Sequence, residues 1–492
     1  MPDGYLTIKL LVHTEDKNTP MSQDAPEKLI QNVITACGSC EDCRHFIEDA
    51  CLFLPELFRL HDRKREQGGG ITDVEARRLA DLCNLCGLCP CVDIRRGIMA
   101  AKAAYGRRDG LPFGTRMLQD VGRIGKLCGA FPRLSGLATS LPATSALIKR
   151  ALDIHPDRPL PAVPRENFDA WVRRRQVPPK QKPGSAVRKA VYFPGCTARY
   201  LFPEVARAAV EVLEACGVEV LSAVNNPDGA CCGMPPLLEG DRDMALGLVS
   251  RNLRWMAGHV AAGFDLVCSC PTCGYFFKQL LREGAYYSDA YQDQTGGDGQ
   301  SLRIPVGMGV SGPREGNMVV LRRATYGSIL QDKGQFSSLD PLQRIAVGEH
   351  AFDLGEYLAS LAGEGRFPPM TRAVSRRAVY YPPCHLREQK IGYPFLELLQ
   401  NVPGLDVAPL TGTLNCCGMA GIMGYKKPFH QPSLQLGAPL MDKIRAHRPE
   451  AILTECLSCR LQFQHMDDIP VSHPVEVLRD SLHAVASGSP VP

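Results

Sequence analysis

Hydrophobic and polar positions divide the chain into stretches of different period. Residues 1–27 are polar, carry no clear period and read as a flexible tail. From Leu111 to Ile154, Leu, Ala and Gly are punctuated by isolated Arg or Lys. That pattern predicts helices broken at Pro132 and Pro142, since proline lacks the N–H that a helix interior needs. A Pro/Lys-rich linker follows at 177–184, and beyond it the chain repeats itself. Ala190-Val-Tyr-Phe-Pro-Gly-Cys196 has a counterpart in Ala378-Val-Tyr-Tyr-Pro-Pro-Cys384, each a β-prone run ending at proline and cysteine. A helical stretch follows each (205–216 and 395–400), then a second β-prone run and Cys-Cys-Gly. Another helical stretch then leads to a third strand (264–269 and 451–455) ending at CxxC. Strands alternating with helices argue for α/β halves with parallel strands, and such sheets gather ligands at their strand ends.

The expected architecture is a mixed α/β and α+β multidomain chain. It comprises the tail, a helical ferredoxin-like domain at 28–110, a helical connector and linker at 111–185, a first cysteine-rich half at 186–285, an insertion at 286–345 and a second half at 346–492. The insertion is polar and Gly-rich from 286 to 317 and reads as a surface loop. Within it, Gly307-Met-Gly309-Val-Ser-Gly312 matches a dinucleotide-binding pattern. Pro313-Arg-Glu-Gly follows instead of a helix, so nothing would hold a pyrophosphate.

Composition changes this picture at one residue type. With 45% hydrophobic and 22% charged residues and a net charge of +4 over 492 residues, nothing points to nucleic acid. The 21 cysteines are the outlier. No export signal and no apolar run of membrane-spanning length is evident, so a cytoplasmic, reducing location is expected, where clustered thiols signify metal or redox chemistry.

Cys37, Cys40 and Cys43 form one CxxCxxC triplet, followed by Cys51. Cys83, Cys86 and Cys89 form a second, followed by Pro90 and Cys91. Three thiolates on one short loop suit an iron-sulfur cage, and in two-cluster ferredoxins the fourth ligand comes from the other motif. By that crossing, one 4Fe-4S cluster would use Cys37, Cys40, Cys43 and Cys91, and the other Cys83, Cys86, Cys89 and Cys51. The spacing departs from the usual three residues before the fourth cysteine: seven intervene in the first motif and only Pro90 in the second. Two structural zinc sites are the alternative, although zinc motifs usually come as separated pairs.

The repeated halves contribute Cys196, Cys231, Cys232, Cys270 and Cys273, then Cys384, Cys416, Cys417, Cys456 and Cys459, in the same order. Adjacent cysteines chelate one small ion poorly but can contact different irons of a larger cluster. Gly233 and Gly418 follow the pairs where the backbone must turn tightly. In these residues the chain resembles the CCG-domain proteins. These include heterodisulfide reductase subunits, the glycolate oxidase iron-sulfur subunit and the C subunit of anaerobic glycerol-3-phosphate dehydrogenase. The likeness to the last of these runs through Pro383-Cys-His-Leu, Val402-Pro-Gly-Leu, Cys416-Cys-Gly-Met-Ala-Gly, Gly424-Tyr-Lys-Lys and Gly437-Ala-Pro-Leu. Upstream it includes Ala101-Lys-Ala-Ala-Tyr105, Ala138-Thr-Ser-Leu and Asn167-Phe-Asp-Ala-Trp171.

The resemblance implies an electron-transfer subunit that relays electrons from a flavoprotein dehydrogenase to a quinone or other acceptor. It also implies one or two further iron-sulfur clusters in the CCG domains, of the noncubane 4Fe-4S type if they follow heterodisulfide reductase. Because both five-cysteine sets are complete, a thiol-disulfide reductase with a disulfide acceptor is a second reading, and a zinc-stabilised scaffold is a third. No acid-base pair or nucleophile constellation stands out, so the chemistry would belong to the cofactors.

Several residues lie outside these sets. His385 and Arg387 follow Cys384 and would tune a cluster, or, for the histidine, cap and pack locally. Lys426 and Lys427 read as a solvated loop. Cys128, Cys216 and Cys268 fall outside the counted sets; Cys216 reads as a small buried apolar residue, and Cys268 is close enough to Cys270 to substitute as a ligand, although the CxxC already supplies the needed pair. Arg116, Arg123 and Lys126 among the apolar residues of 111–154 suggest peripheral membrane contact, with an interdomain connector as the alternative.

Overall fold

A computed structural model describes residues 25–46, 50–89, 91–175, 188–226, 231–295, 299–305, 318–412 and 414–482. Most of the expected tail, the linker at 177–184 and the glycine-patterned run at 307–312 lie outside the described residues.

The N-terminal region is helical. Helix Pro26–Gly38 starts inside the expected tail and packs with helices Phe53–Gln67, Asp73–Leu82 and Val92–Asp109. Their buried residues recur at helical spacing: Ile30, Val33 and Ile34; Leu54, Leu57 and Phe58; Ala76, Leu79 and Ala80; Ile94, Ile98, Ala101 and Tyr105. Four amphipathic faces thus close one small core and leave the helix ends, where the cysteines lie, at its edge. Thr72 and Glu75 form a reciprocal capping box that fixes where the third of these helices begins. Between 111 and 154 the chain forms helices Phe113–Gln119, Val121–Ala130, Pro132–Ser140 and Pro142–Ala151. The two prolines sit in first turns, where a missing N–H costs nothing.

Two four-stranded parallel sheets follow. The first has strand order β2-β1-β3-β6, from β1 (Lys189–Phe193), β2 (Glu219–Ser222), β3 (Asp265–Cys268) and β6 (Ala351–Asp353). The second has order β10-β9-β7-β8, from β7 (Arg376–Tyr380), β8 (Leu405–Pro409), β9 (Ala451–Leu453) and β10 (Val471–Ser472). The same order is therefore built twice, with β6 and β10 in equivalent places.

That equivalence moves a boundary. Residues 351–353 pair with β3, so the first half resumes after the insertion and extends through helix Leu354–Gly363, whereas the sequence boundary at 346 gave this strand to the second half. A three-residue strand carries too little pattern to be assigned locally; its place comes from pairing with a strand more than 80 residues earlier. The insertion is also more than a loop. It contains helix Asp289–Gln294 and an antiparallel ribbon of β4 (Ser301–Pro305) and β5 (Met318–Arg322).

The central strands are buried on both faces, which explains their continuous apolar runs. Ala190 and Tyr192 of β1, and Ala378 and Tyr380 of β7, enter one core shared by both halves. Helices Pro203–Ala215, Leu354–Gly363, Pro394–Leu399 and Pro474–Leu482 fill the space between the sheets. Val191 and Phe193 face helix Arg242–Ala261 on one outer side, and Val379 and Tyr381 face helix His430–Ala446 on the other. At about 1.5–3 kcal/mol for each large apolar side chain fully buried, the shared core holds the two halves as one body.

Candidate metal-cluster sites

Each sheet delivers its cysteines at the carboxyl ends of its strands. Cys196 lies in helix Gly195–Tyr200, just after β1. Cys270 caps helix Pro271–Tyr275 after β3, and Cys273 lies inside that helix. Cys231 and Cys232 come from the loop before helix Met234–Glu239. The five thiols form one continuous hydrogen-bonded row: Cys196 to Cys231, Cys231 to Cys232, Cys232 to Cys273, and Cys273 to Cys270. In the second half the row runs Cys416, Cys417, Cys459, Cys456, with 3.0 Å between the Cys417 and Cys459 sulfurs. Cys384 lies within electrostatic reach of Cys417 and Cys456.

Thiols donating to a neighbour favour its ionisation. Hydrogen bonds from Cys231 and Cys273 bring Cys232 down to about 6, and those from Cys416 and Cys459 take Cys417 well below its ordinary value. Burial instead pushes Cys384 up to about 12. All of these thiols are free of disulfides. Five sulfurs in one row exceed the four positions of a tetrahedral zinc ion and suit a multi-iron cage, whose metals accept sulfurs from several directions.

Backbone geometry is duplicated along with the thiols. Gly233 N–H donates to Cys231 Sγ at 3.4 Å and Gly418 N–H to Cys416 Sγ at 3.3 Å, with φ of +106° and +85°. At Gly418 a Cβ would also collide with the Ser433 carbonyl oxygen. Gly418→Ala is expected to cost about 2–5 kcal/mol, combining ~1–2 kcal/mol for the left-handed backbone with ~1–3 kcal/mol for overpacking. Chemical denaturation checks this, with Gly136→Ala as a control because a Cβ there meets nothing within 4 Å.

The N-terminal cysteines stand at helix ends. Cys40, Cys43, Cys51 and Cys91 all lie within electrostatic reach of Cys37, whose pKa burial raises to about 12. Cys83 and Cys51 act likewise on both Cys86 and Cys89. The structure thus brings Cys51 within reach of both triplets and Cys91 within reach of the first, gathering all these thiols in one neighbourhood. It also carries Cys86 within electrostatic reach of Cys384 and Cys416, so the second triplet abuts the second five-cysteine set.

The CCG cysteine-rich domain family matches residues 190–278 and 378–464. The chain carries two CCG domains. Among curated proteins it is similar to the C subunit of anaerobic glycerol-3-phosphate dehydrogenase of Escherichia coli (strain K12), 25% identical over 364 residues, 73% of this chain and 74% of that one. It is also similar to the B subunit of fumarate reductase (CoM/CoB) of Methanothermobacter marburgensis, 25% identical over 306 residues, 61% of this chain and 47% of that one. A third relative is the glycolate oxidase iron-sulfur subunit of E. coli K12, 20% identical over 300 residues, 60% of this chain and 58% of that one.

Side chains tie the CCG domains to the N-terminal loops. The sequence offered His385 as a cluster-tuning or locally packing residue, but its contacts are long-range. His385 Nε2 lies 2.9 Å from the Leu85 carbonyl, between Cys83 and Cys86, and Nδ1 lies 2.8 Å from Thr272 Oγ1, between Cys270 and Cys273. A carbonyl only accepts, so Nε2 carries the hydrogen and Nδ1 accepts from the threonine hydroxyl. Burial lowers the histidine's pKa and keeps this neutral form. Tyr275 stacks on the ring, with centroids 4.9 Å apart. One imidazole therefore fastens three cysteine-bearing loops. Lys102 adds a second tie, donating to Cys83 O at 2.5 Å and Leu238 O at 3.0 Å.

Other candidates resolve differently. Lys426 is ion-paired with Glu239 and joins the two CCG domains, and Lys427 pairs with Asp153 at 2.8 Å, so neither is simply a solvated charge. Arg387 lies 3.8 Å from Glu388. Cys216 is buried in the shared apolar core. Cys268, fully buried at the end of β3, lies within electrostatic reach of Cys270 and Cys232, while Cys128 is half-buried on the connector.

Sequence reasoning passed over Arg158, which is 1% exposed and donates to Gln462 Oε1 and Met419 Sδ, both at 2.7 Å. Its charge helps hold Cys417 ionised. Nothing in its Pro-rich surroundings marks it. Beside the His385 junction, Leu85, Arg95, Tyr275, Arg282, Glu388 and Lys390 help to line a cavity of about 320 Å³.

Proposed function

We propose that this chain is an iron-sulfur electron-transfer subunit that accepts electrons from a flavoprotein dehydrogenase, of the glycerol-3-phosphate dehydrogenase type, and passes them to a quinone or another acceptor. The single observation that carries this reading is the contiguity of the thiol sets, in which Cys86 of the second triplet faces Cys384 and Cys416 of a CCG domain. Cys37, Cys40, Cys43 and Cys91 would hold one 4Fe-4S cluster, and Cys83, Cys86, Cys89 and Cys51 the other. Cys196, Cys231, Cys232, Cys270 and Cys273, and Cys384, Cys416, Cys417, Cys456 and Cys459, would hold one or two more, the five-sulfur rows suiting the noncubane type.

When bound, such clusters supply one-electron carriers whose potentials follow charge, hydrogen bonding and burial around the sulfurs. The chain's own part is to fix those surroundings. Gly233 and Gly418 N–H groups donate to sulfur, Arg158 sets a positive charge beside Cys417, and His385 and Lys102 hold the N-terminal loops against the CCG domains. The cavity gives a small carrier a place next to three cysteine-bearing loops.

The experiment is anaerobic purification followed by iron, zinc and acid-labile sulfide analysis, then mixing with a reduced flavoprotein dehydrogenase. Iron and sulfide in near-equal amounts, with bleaching of the visible absorbance on mixing, are expected. Abundant zinc without sulfide would replace this reading with a scaffold. Turnover of a disulfide by the isolated cluster-loaded chain with an artificial electron donor would favour the disulfide-reductase reading.

Peripheral membrane contact is part of the proposal. Helices Pro132–Ser140 and Pro142–Ala151 bury none of their residues, and Leu127, Phe131, Leu134, Leu137, Leu141 and Leu147 are all exposed. Between 121 and 152 the sequence has Arg123, Lys126, Arg133, Lys149 and Arg150 and no acidic residue. Among the described residues no helix is long and apolar enough to cross a membrane, so the fitting mode is interfacial, with apolar side chains in the headgroup region and cations on anionic lipid. The chain should float with anionic vesicles at low salt. The double variant Leu134→Asp, Leu137→Asp should stay in the pellet fraction, since each aspartate removes apolar area and adds repulsion.

A further inference from the structure

Three imidazoles and a carboxylate gather where helices of the second CCG domain meet the segment that follows the connector helices. His155, Asp157 and His430 present ligand atoms that all lie within 4.8 Å of one another. The rings of His155 and His430 stack with centroids 3.9 Å apart. His465, near the end of the helix that carries Cys459, brings a third ring 5.4 Å from that of His430. The electron relay gives none of these four residues a task.

His430 is 1% exposed, and its Nδ1 faces the Gly424 carbonyl at 3.4 Å. A backbone carbonyl on one ring nitrogen fixes the tautomer and leaves the other nitrogen's lone pair for a metal, as in many histidine sites. His155 Nδ1 lies 3.8 Å from Asp157 Oδ2 and accepts from the Asp157 backbone N–H at 3.3 Å. Ligand bonds of about 2.0–2.2 Å to tetrahedral zinc put neighbouring donor atoms roughly 3.3–3.5 Å apart, close to the present spacing; taking up an ion turns the His155 ring out of its stack and replaces the Asp157 N–H hydrogen bond with a metal bond.

The rings are also in the ligating form. Burial lowers the pKa of His430, and burial with the Arg158 charge brings His465 to about 4, so both are neutral near pH 7. Arg158 is committed to Gln462 and Met419.

We propose that His155, Asp157 and His430 form a structural site for a divalent transition-metal ion of the zinc type, with His465 as the fourth donor. The ligands come from separate parts of the chain. His155 and Asp157 follow the exposed helices 132–151, while His430 and His465 belong to helices of the second CCG domain. His155 N–H already donates to Tyr425 O at 2.9 Å, and an ion here would lock that junction, clamping the membrane-facing connector to the redox domain.

The test equilibrates the iron-loaded full chain with Zn²⁺, removes excess with a weak chelator and measures zinc and iron by mass spectrometry. One zinc per chain beyond the iron is expected, together with a rise in thermal midpoint on adding zinc. His155→Ala and Asp157→Ala, at partly exposed and exposed positions that tolerate truncation, should each lose the zinc and the midpoint shift while keeping their iron. Zinc retained equally by wild type and both variants would place it elsewhere and overturn the site, as would no zinc on the wild type. Iron content reports the cluster assignment separately, so failure of one reading is distinguishable from failure of the other.

Discussion

With the proposed clusters in place, Cys417→Ser is expected to lose the iron assigned to the second CCG domain while the N-terminal triplets and the first domain keep theirs. Cys417 is the sulfur to which Cys416 and Cys459 both donate, so it is the thiolate around which the row is organised. Serine keeps the volume but supplies a hydroxyl that ionises far less readily than a thiol and is a poorer partner for iron. The loss of cluster affinity should exceed the roughly 10–100-fold seen when only a hydrogen-bond partner of a metal ligand is removed. Iron and labile sulfide per chain would fall by one cluster's content, and delivery of electrons to an acceptor would fall with them. Cys216→Ser is the control: that thiol is equally buried but sits in the apolar core outside both sets, and its variant should keep full iron. Equal iron in both variants would remove the second CCG domain from the relay.

His385→Ala should produce the second large effect. It strands the buried Leu85 carbonyl, at about 1–3 kcal/mol, and removes the hydrogen bond of the half-buried Thr272 hydroxyl, at about 0.5–1.5 kcal/mol, so a stability loss of about 1.5–4.5 kcal/mol is expected. His385→Gln retains one donor and one acceptor and should recover part of it. A purely local packing role would stop there. A positioning role goes further, because the Cys83–Cys86 loop is released from the Cys270–Cys273 and Cys384 loops. Magnetic interaction between reduced N-terminal and CCG sites, read by electron paramagnetic resonance, should weaken in the alanine variant at unchanged iron content and return with glutamine.

The cysteine sets themselves were legible because their pattern is written locally. A CxxCxxC triplet or a Cys-Cys-Gly turn holds its sulfurs within one loop. Pro132 and Pro142 likewise mark helix starts by a local property, the missing N–H, and the helices begin there. The repeat of Ala190–Cys196 in Ala378–Cys384 announced the duplicated parallel sheets for the same reason, since β-prone runs keep their pattern without needing a partner in view.

What escaped was set by contacts between distant residues. His385 and Leu85 are 300 positions apart, and no local pattern tells that the imidazole of one meets the carbonyl of the other. Strand β6 is three residues long and has an identity only through its pairing with β3, which is why a boundary drawn on pattern fell on the wrong side of it. Arg158 looks like one more basic residue until burial leaves Gln462 and Met419 as its partners and Cys417 within reach of its charge.

By itself, then, the sequence determined which thiols are grouped together and in what order they recur, because bond connectivity and turn chemistry are local. Which loops meet, which thiol ionises first and where His155 finds His430 were decided only by the tertiary structure, because hydrophobic burial brings together segments whose sequences carry no record of one another.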